Sequence, residues 1–178
     1  MVAFASTEGT STIAAPAPAF VAAFAKRVES GLLGPGIRAR NHYLTSGQGA
    51  DHLDFRAADW PTALNVGLND VHLIVTPDHS VRYTIRYPRW ALFALIVGAA
   101  FLILFASILL MTDMRGYIET HPASRFSGLS TNQNLAIAWA LGLFFGLAWP
   151  WILVFMHKRP LRRLMERIIS EVDHAAEI

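Results

Sequence analysis

Hydrophobic positions along the chain fall into three patterns, and each predicts a different kind of element. From Trp90 to Met111 and from Leu135 to Met156 the apolar residues are near-continuous, and neither run contains a charge. At about 1.5 Å per residue, each run reaches about 33 Å as a helix, enough for a hydrocarbon core about 30 Å thick. The second pattern has a helical period. Phe20, Phe24, Val28 and Leu32 recur every four residues, with Lys26, Arg27, Glu29 and Ser30 elsewhere, which predicts an amphipathic helix ended by Gly34-Pro35-Gly36. Beyond the second apolar run, Pro160 opens another such helix. Its stripe is Leu161, Leu164, Met165, Ile168, Val172 and Ala175, with Arg162, Arg163, Glu166, Arg167, Ser170, Glu171, Asp173 and His174 around it.

The third pattern has period two. Val71, Leu73 and Val75 alternate with His72, Ile74 and Thr76; Val81, Tyr83, Ile85 and Tyr87 alternate with Arg82, Thr84 and Arg86. Thr76-Pro77-Asp78-His79-Ser80 between them is suited to a turn, so the pair predicts a β-hairpin. Ile37–Thr45 and Asp51–Ala58, around Ser46-Gly47-Gln48-Gly49, predict an earlier strand pair. Trp60-Pro61-Thr62-Ala63-Leu64 predicts a short helical turn or a bend.

Together these elements predict an α+β membrane protein. Residues 1–17, rich in Ala, Ser, Thr and Pro, read as a flexible segment. Residues 18–88 read as a small cytoplasmic α+β domain of one helix plus about four antiparallel strands. A two-helix transmembrane hairpin follows, 90–111 and 135–156, joined by an external (periplasmic) connector over 112–134. Residues 157–178 form a C-terminal cytoplasmic amphipathic helix. The last strand runs into the first span through Pro88-Arg89, which leaves little slack and predicts a sheet close to the inner membrane surface. The stripe on the C-terminal helix needs burial on lipid, on the α+β domain or on a partner protein, and the sequence leaves these open.

Charge orients the hairpin. Arg82, Arg86 and Arg89 precede the first span; Lys158, Arg159, Arg162, Arg163 and Arg167 follow the second; the connector holds only Arg115 and Arg125. The positive-inside bias predicts both termini in the cytoplasm, hence a multi-pass protein of a bacterial inner (cytoplasmic) membrane. Trp90, Trp149, Trp151 and His157 flank the cytoplasmic ends of the spans, where amphipathic rings favour the headgroup boundary. The start of the chain lacks a signal-peptide pattern, because no Lys or Arg precedes Lys26 and Pro16 and Pro18 interrupt the apolar stretch. Composition agrees with this class: 53% of residues are hydrophobic and 16% charged, against about 25% charged in soluble domains. A net charge of +2 gives no general nucleic-acid footprint.

Small residues mark helix-packing faces. Ala138, Gly142 and Gly146 recur every four residues in the second span, with Pro150 next in the series; Ala94, Gly98 and Ala106 lie on a comparable stripe of the first. These faces serve either to pack the hairpin against itself or to dock a helix of another protein. Pro150 removes a helical hydrogen bond and predicts a kink.

Candidate chemistry is sparse. The chain has no cysteine, which excludes disulfides, thiolate catalysis and Cys-based metal sites. Asp51-His52-Leu53-Asp54 is the one local cluster, and a metal there would need ligands from elsewhere. His157 at a membrane boundary has the chemistry to ligate a pigment, although an interfacial polar role is the more ordinary one. No phosphate loop, nucleophile elbow or zinc-binding motif occurs, and neither span holds an ionisable residue. The expectation is a non-catalytic accessory or structural subunit of a larger inner-membrane complex, for example a photosynthetic or respiratory assembly. Its partners would be membrane lipids and other integral membrane subunits, with no cofactor, metal or nucleic acid. A membrane-tethered binding or sensory module is the alternative. A lipid-directed enzyme built on Asp51, His52 and Asp54 stands third.

Overall fold

A computed structural model describes residues 3–33, 41–121, 126 and 128–176. The chain divides into two compact units, Met1–Leu92 with Val154–Ile178, and Phe93–Leu153.

The first unit is built on a five-stranded antiparallel sheet with strand order β1-β5-β4-β3-β2. Its strands are β1 (Ser6–Thr12), β2 (Tyr43–Gln48), β3 (His52–Ala57), β4 (Asp70–Val75) and β5 (Ser80–Arg86). The alternation over β4 and β5 is realised directly: Val71, Leu73, Val75, Val81, Tyr83 and Ile85 are buried, while Asp70, His72, Ile74, Arg82 and Arg86 are exposed. Two helices cover the inner face, α1 (Ala17–Ser30) and, from the far end of the chain, the helix Lys158–Ala176 described below.

Two expectations are corrected here. The sheet has five strands rather than about four, because residues 3–12, read as flexible, form a 3-10 turn (Ala3–Ala5) and strand β1. Strand β1 pairs with β5 without interruption from Ser6↔Arg86 to Thr12↔Ser80. At its centre Gly9 lies opposite Tyr83, and a Cβ there would overlap the Tyr83 ring. An aromatic ring thus fills the space beside an edge glycine, so the strand needs no apolar side chain of its own at that point.

Helix α1 starts behind Pro16, carries Pro18 in its first turn and buries Phe20, Val21, Phe24, Ala25 and Val28. It stops at Gly31, whose φ of 98° suits glycine, and its N–H donates to the Val28 carbonyl. The expected stop at Gly34-Pro35-Gly36 lies outside the described residues, as do positions 37–40 of the first expected strand. Leu32 is therefore past the helix, and it is buried from a loop held by Asn41, whose Oδ1 accepts from the Leu32 N–H at 2.9 Å. Residues Trp60–Val66 form helix α2, with the Asp59 side chain accepting from the Thr62 N–H at 2.8 Å and Gly67 (φ 82°) ending it.

The second unit contains the apolar runs. Helix α3 (Pro88–Met111) enters it, followed by α4 (Met114–Thr120) and α5 (Thr131–Leu143). A five-residue π turn, Phe144–Ala148, joins α5 to α6 (Trp149–Met156), and α7 (Lys158–Ala176) follows α6 in sequence. The helical path from Thr131 to Ala176 is 46 residues long. It begins four residues before the expected span, because Ser130 and Gln133 form a capping box. Both helices are long and apolar enough to cross a membrane. Only 11% of the most apolar stretch of α3, and 22% of that of the second helix, is buried within the protein, unlike the core helices of a soluble domain.

The C-terminal stripe has its mate in the α+β domain. Leu161, Met165, Ile168, Ile169 and Val172 of α7 are buried, and α7 packs beside α1 and under β1. Side chains of this size each contribute about 1.5–3 kcal/mol when buried. Polar contacts fix the register. Asp173 accepts from the N–H groups of Ala14 (2.9 Å) and Ala15 (3.0 Å) just ahead of α1. Arg27 pairs with Glu171 at 3.2 Å, and the Tyr83 hydroxyl donates to Glu166 at 3.3 Å.

Candidate functional site

The small residues of the second unit form a seam inside the hairpin. A Cβ on Gly98 would overlap Pro150 Cγ and lie 2.8 Å from the Gly146 carbonyl oxygen. A Cβ on Gly146 would lie 2.5 Å from Leu102 Cβ, and one on Gly142 would overlap the Phe105 ring. The sequence pairs 98/150, 102/146 and 105/142 run in opposite directions, as in two antiparallel helices packed at their small residues. Ala94 is buried and Ala138 half-buried. Pro150 acts through the backbone one turn earlier. Its ring would crowd the carbonyl four residues back, that of Gly146, and the π turn Phe144–Ala148 widens the helix there. Trp149 and Trp151 are exposed.

A second cluster surrounds the start of α3 within the first unit. Asn69 is buried, and its Oδ1 accepts from the N–H groups of Arg89 (2.7 Å) and Trp90 (3.4 Å), two of the donors a helix start leaves open. Its amide donates in turn to the Ala63 carbonyl at 3.0 Å. The Arg89 guanidinium donates to the Ala57 carbonyl at 3.2 Å, so this arginine is tied to the domain as well as to the positive flank. The Trp90 indole stacks on His157 with centroids 3.9 Å apart and planes 1° from parallel; Tyr87 meets the same imidazole edge-on at 5.5 Å. Nε2 of His157 is buried without a hydrogen-bond partner among the described residues and abuts Gly67, where even a methyl group would overlap it. Burial lowers the His157 pKa to about 4, which keeps the ring neutral near pH 7. In this arrangement Nε2 faces the Gly67 backbone, and the ring is packed between Trp90 and Tyr87. Arg159, Arg162 and Arg163 are exposed on α7, Lys158 lies 5.2 Å over the Phe155 ring, and Arg162 is 3.8 Å from Glu166.

The outer face of the sheet is the third arrangement. Strand register sets its side chains in rows. Glu8, Thr84, His72 and Asp54 form one row, and Arg86, Asp70 and Arg56 the next. Asp54 Oδ1 contacts Nδ1 of His72, so a carboxylate orients that imidazole. His52 instead pairs with Asp51 at 3.0 Å; this hydrogen bond, the larger cause, holds the Asp51 carboxyl below the usual range. The sequence cluster Asp51, His52 and Asp54 is therefore split between two partners, and no group of three metal-capable side chains forms among the described residues. Sequence spacing does not disclose the Asp54–His72 pair; only the register of β3 on β4 brings the two together. Depressions of about 570 and 620 Å³ flank His72 and Thr84. Both lie open on the sheet face. Arg82 and Arg86 are exposed beside them.

Comparison of the chain with protein-family models, with curated proteins and with solved structures finds no match.

Proposed function

We propose that this chain is a non-catalytic accessory subunit of an inner-membrane protein complex, with α3 and the α5–α6 helix inserted as a hairpin and both termini in the cytoplasm. The observation that carries the reading is the position of α7. The chain leaves the α+β domain through α3 and returns after α6 to complete that same domain with Leu161, Met165, Ile168, Ile169 and Val172. A domain assembled from both flanks of a hairpin can occupy one side of a membrane only. The clustered cations after α6 and before α3 favour the cytoplasmic side.

The accessory role draws its support from what the two units offer. The domain's core is closed by its own side chains, and its outer face is broad, shallow and of mixed charge. The spans hold no ionisable group for an ion or proton path. Such a body is suited to holding other subunits in place, whether of a photosynthetic, a respiratory or another assembly. Extraction of native membranes in mild detergent, followed by tagged purification and mass spectrometry, tests the proposal. Stoichiometric recovery of other integral membrane proteins is expected. Recovery of this chain without any other membrane protein would contradict it.

One observation favours a second reading, that of a tethered binding or sensory module: the Asp54-oriented His72 beside an open depression. On that reading His72→Ala abolishes binding of a soluble ligand or protein while leaving membrane assembly intact.

A further inference from the structure

The sheet ends in two edges of different character. At one end, β2 is broken by a register shift between Thr45 and Gly47. Bulges of this kind twist an edge away from further pairing. At the other end, β1 is regular over all seven of its residues. It contains no proline, lysine or arginine, and its one charge is Glu8. A regular strand edge with neither a bulge nor a proline or cation of its own is a template for another strand.

The side chains along β1 indicate which strand fits. Ser6-Thr7-Glu8-Gly9-Thr10-Ser11-Thr12 is nearly symmetric about Gly9. In an antiparallel pair of two such strands centred on Gly9, Thr7 lies opposite Ser11 of the other copy, and Glu8 lies opposite Thr10. Hydroxyl pairs of this type favour cross-strand pairing, and like charges do not meet. Moving the register two residues one way places Glu8 opposite Glu8 of the second copy, which is unfavourable; moving it two residues the other way pairs only residues 8–12, whereas the register centred on Gly9 pairs all seven. The two-fold arrangement thus has one preferred register. Gly9, at the centre, is supported by the Tyr83 ring, whose hydroxyl is held by Glu166 of α7. Glu8, Thr10 and Thr12 are exposed.

We infer that β1 is a self-association edge, through which two copies of the chain pair antiparallel about a two-fold axis at Gly9 and merge their sheets into one. The main-chain bonds of strand addition supply the affinity, and the full overlap of the seven residues together with the position of Glu8 supplies the register. This inference is independent of which other subunits the protein meets.

The absence of native cysteine makes a direct test available. Opposed residues of an antiparallel pair have Cα atoms about 4.5–5.5 Å apart, within the reach of a disulfide. Full-length E8C and T10C, carrying different tags, are co-expressed in membranes and oxidised. The expected result is a disulfide between the E8C and T10C chains, in clear excess over E8C–E8C and T10C–T10C products. No E8C–T10C product, or equal amounts of all three, would overturn the inference. A second arm uses charge. T10E sets a carboxylate opposite Glu8 of the other copy at two symmetric points, and it is expected to weaken self-association roughly tenfold in detergent. Adding E8K to T10E restores opposite charges and should restore the dimer. A wild-type chain that is monomeric at all concentrations, or a dimer indifferent to both substitutions, would equally overturn it. Because both chains are the same protein, the cross-tag disulfide is read without reference to any other subunit, so its failure is separable from failure of the accessory role.

Discussion

Gly98, Gly142 and Gly146 show how much can rest on a missing side chain. Each gives its space to a residue of the facing helix in the hairpin: Pro150, Phe105 and Leu102. Gly146→Leu is expected to leave the apolar length of the span intact while holding the two helices apart. The measurement is thermal unfolding of the purified protein in detergent: a clearly lower midpoint with normal membrane insertion is expected, and a wild-type midpoint would place this face elsewhere. Asp173 illustrates the opposite case, in which one side chain serves several backbone donors. Asp173→Ala frees the N–H groups of Ala14 and Ala15, and chemical denaturation should show a loss of about 1–2 kcal/mol. His157 adds a pH signature. Its folded pKa, about 4, lies below the ordinary 6.5, so the unfolded chain binds the proton more readily. Its contribution is complete above about pH 6.5 and is lost as pH falls toward 4. Unfolding measured at pH 7 and pH 5 should show a smaller pH-dependent loss in His157→Phe than in wild type.

At the scale of elements, what the sequence disclosed depended on where the relevant partner lay. The alternation in β4 and β5 and the stripes of α1 and α7 are local patterns, and each element formed where its pattern stood, except that α1 stops at Ser30, ahead of Leu32. Strand β1 escaped because its burial is recorded in another strand: Tyr83 of β5 fills the place of a side chain at Gly9. The mate of the α7 stripe was equally hidden, since Phe20, Phe24 and Val28 lie at the opposite end of the chain. Pro150 announced an irregularity, but the backbone yields as a π turn over Phe144–Ala148. The Asp54–His72 pair depends on strand register, which spacing along one chain does not contain. Because α7 completes the core, Met165→Asp should cost more than any change on the exposed side of that helix. A buried, unpaired carboxylate is strongly unfavourable, and the expected outcome is loss of folded protein in membranes, whereas Arg163→Ala accumulates normally. Equal levels of the two variants by immunoblot would contradict the packing of α7.

For the whole molecule, the arrangement that matters is a domain made from the two flanks of an apolar hairpin. In the proposed topology, α1 and α7 share one compartment, and α4, between the apolar helices, lies in the other. Accessibility in intact cells probes this arrangement without disturbing it, because Glu29 on α1, Ser170 on α7 and Thr120 on α4 are all exposed and the chain has no native cysteine. The measurement is labelling of E29C, S170C and T120C by a membrane-impermeant thiol reagent, before and after the membrane is permeabilised. The account predicts that T120C reacts at once, and that E29C and S170C react only after permeabilisation, both together. Reaction of E29C without S170C, or the reverse, would contradict a domain closed by α7, and immediate reaction of both would contradict the cytoplasmic assignment.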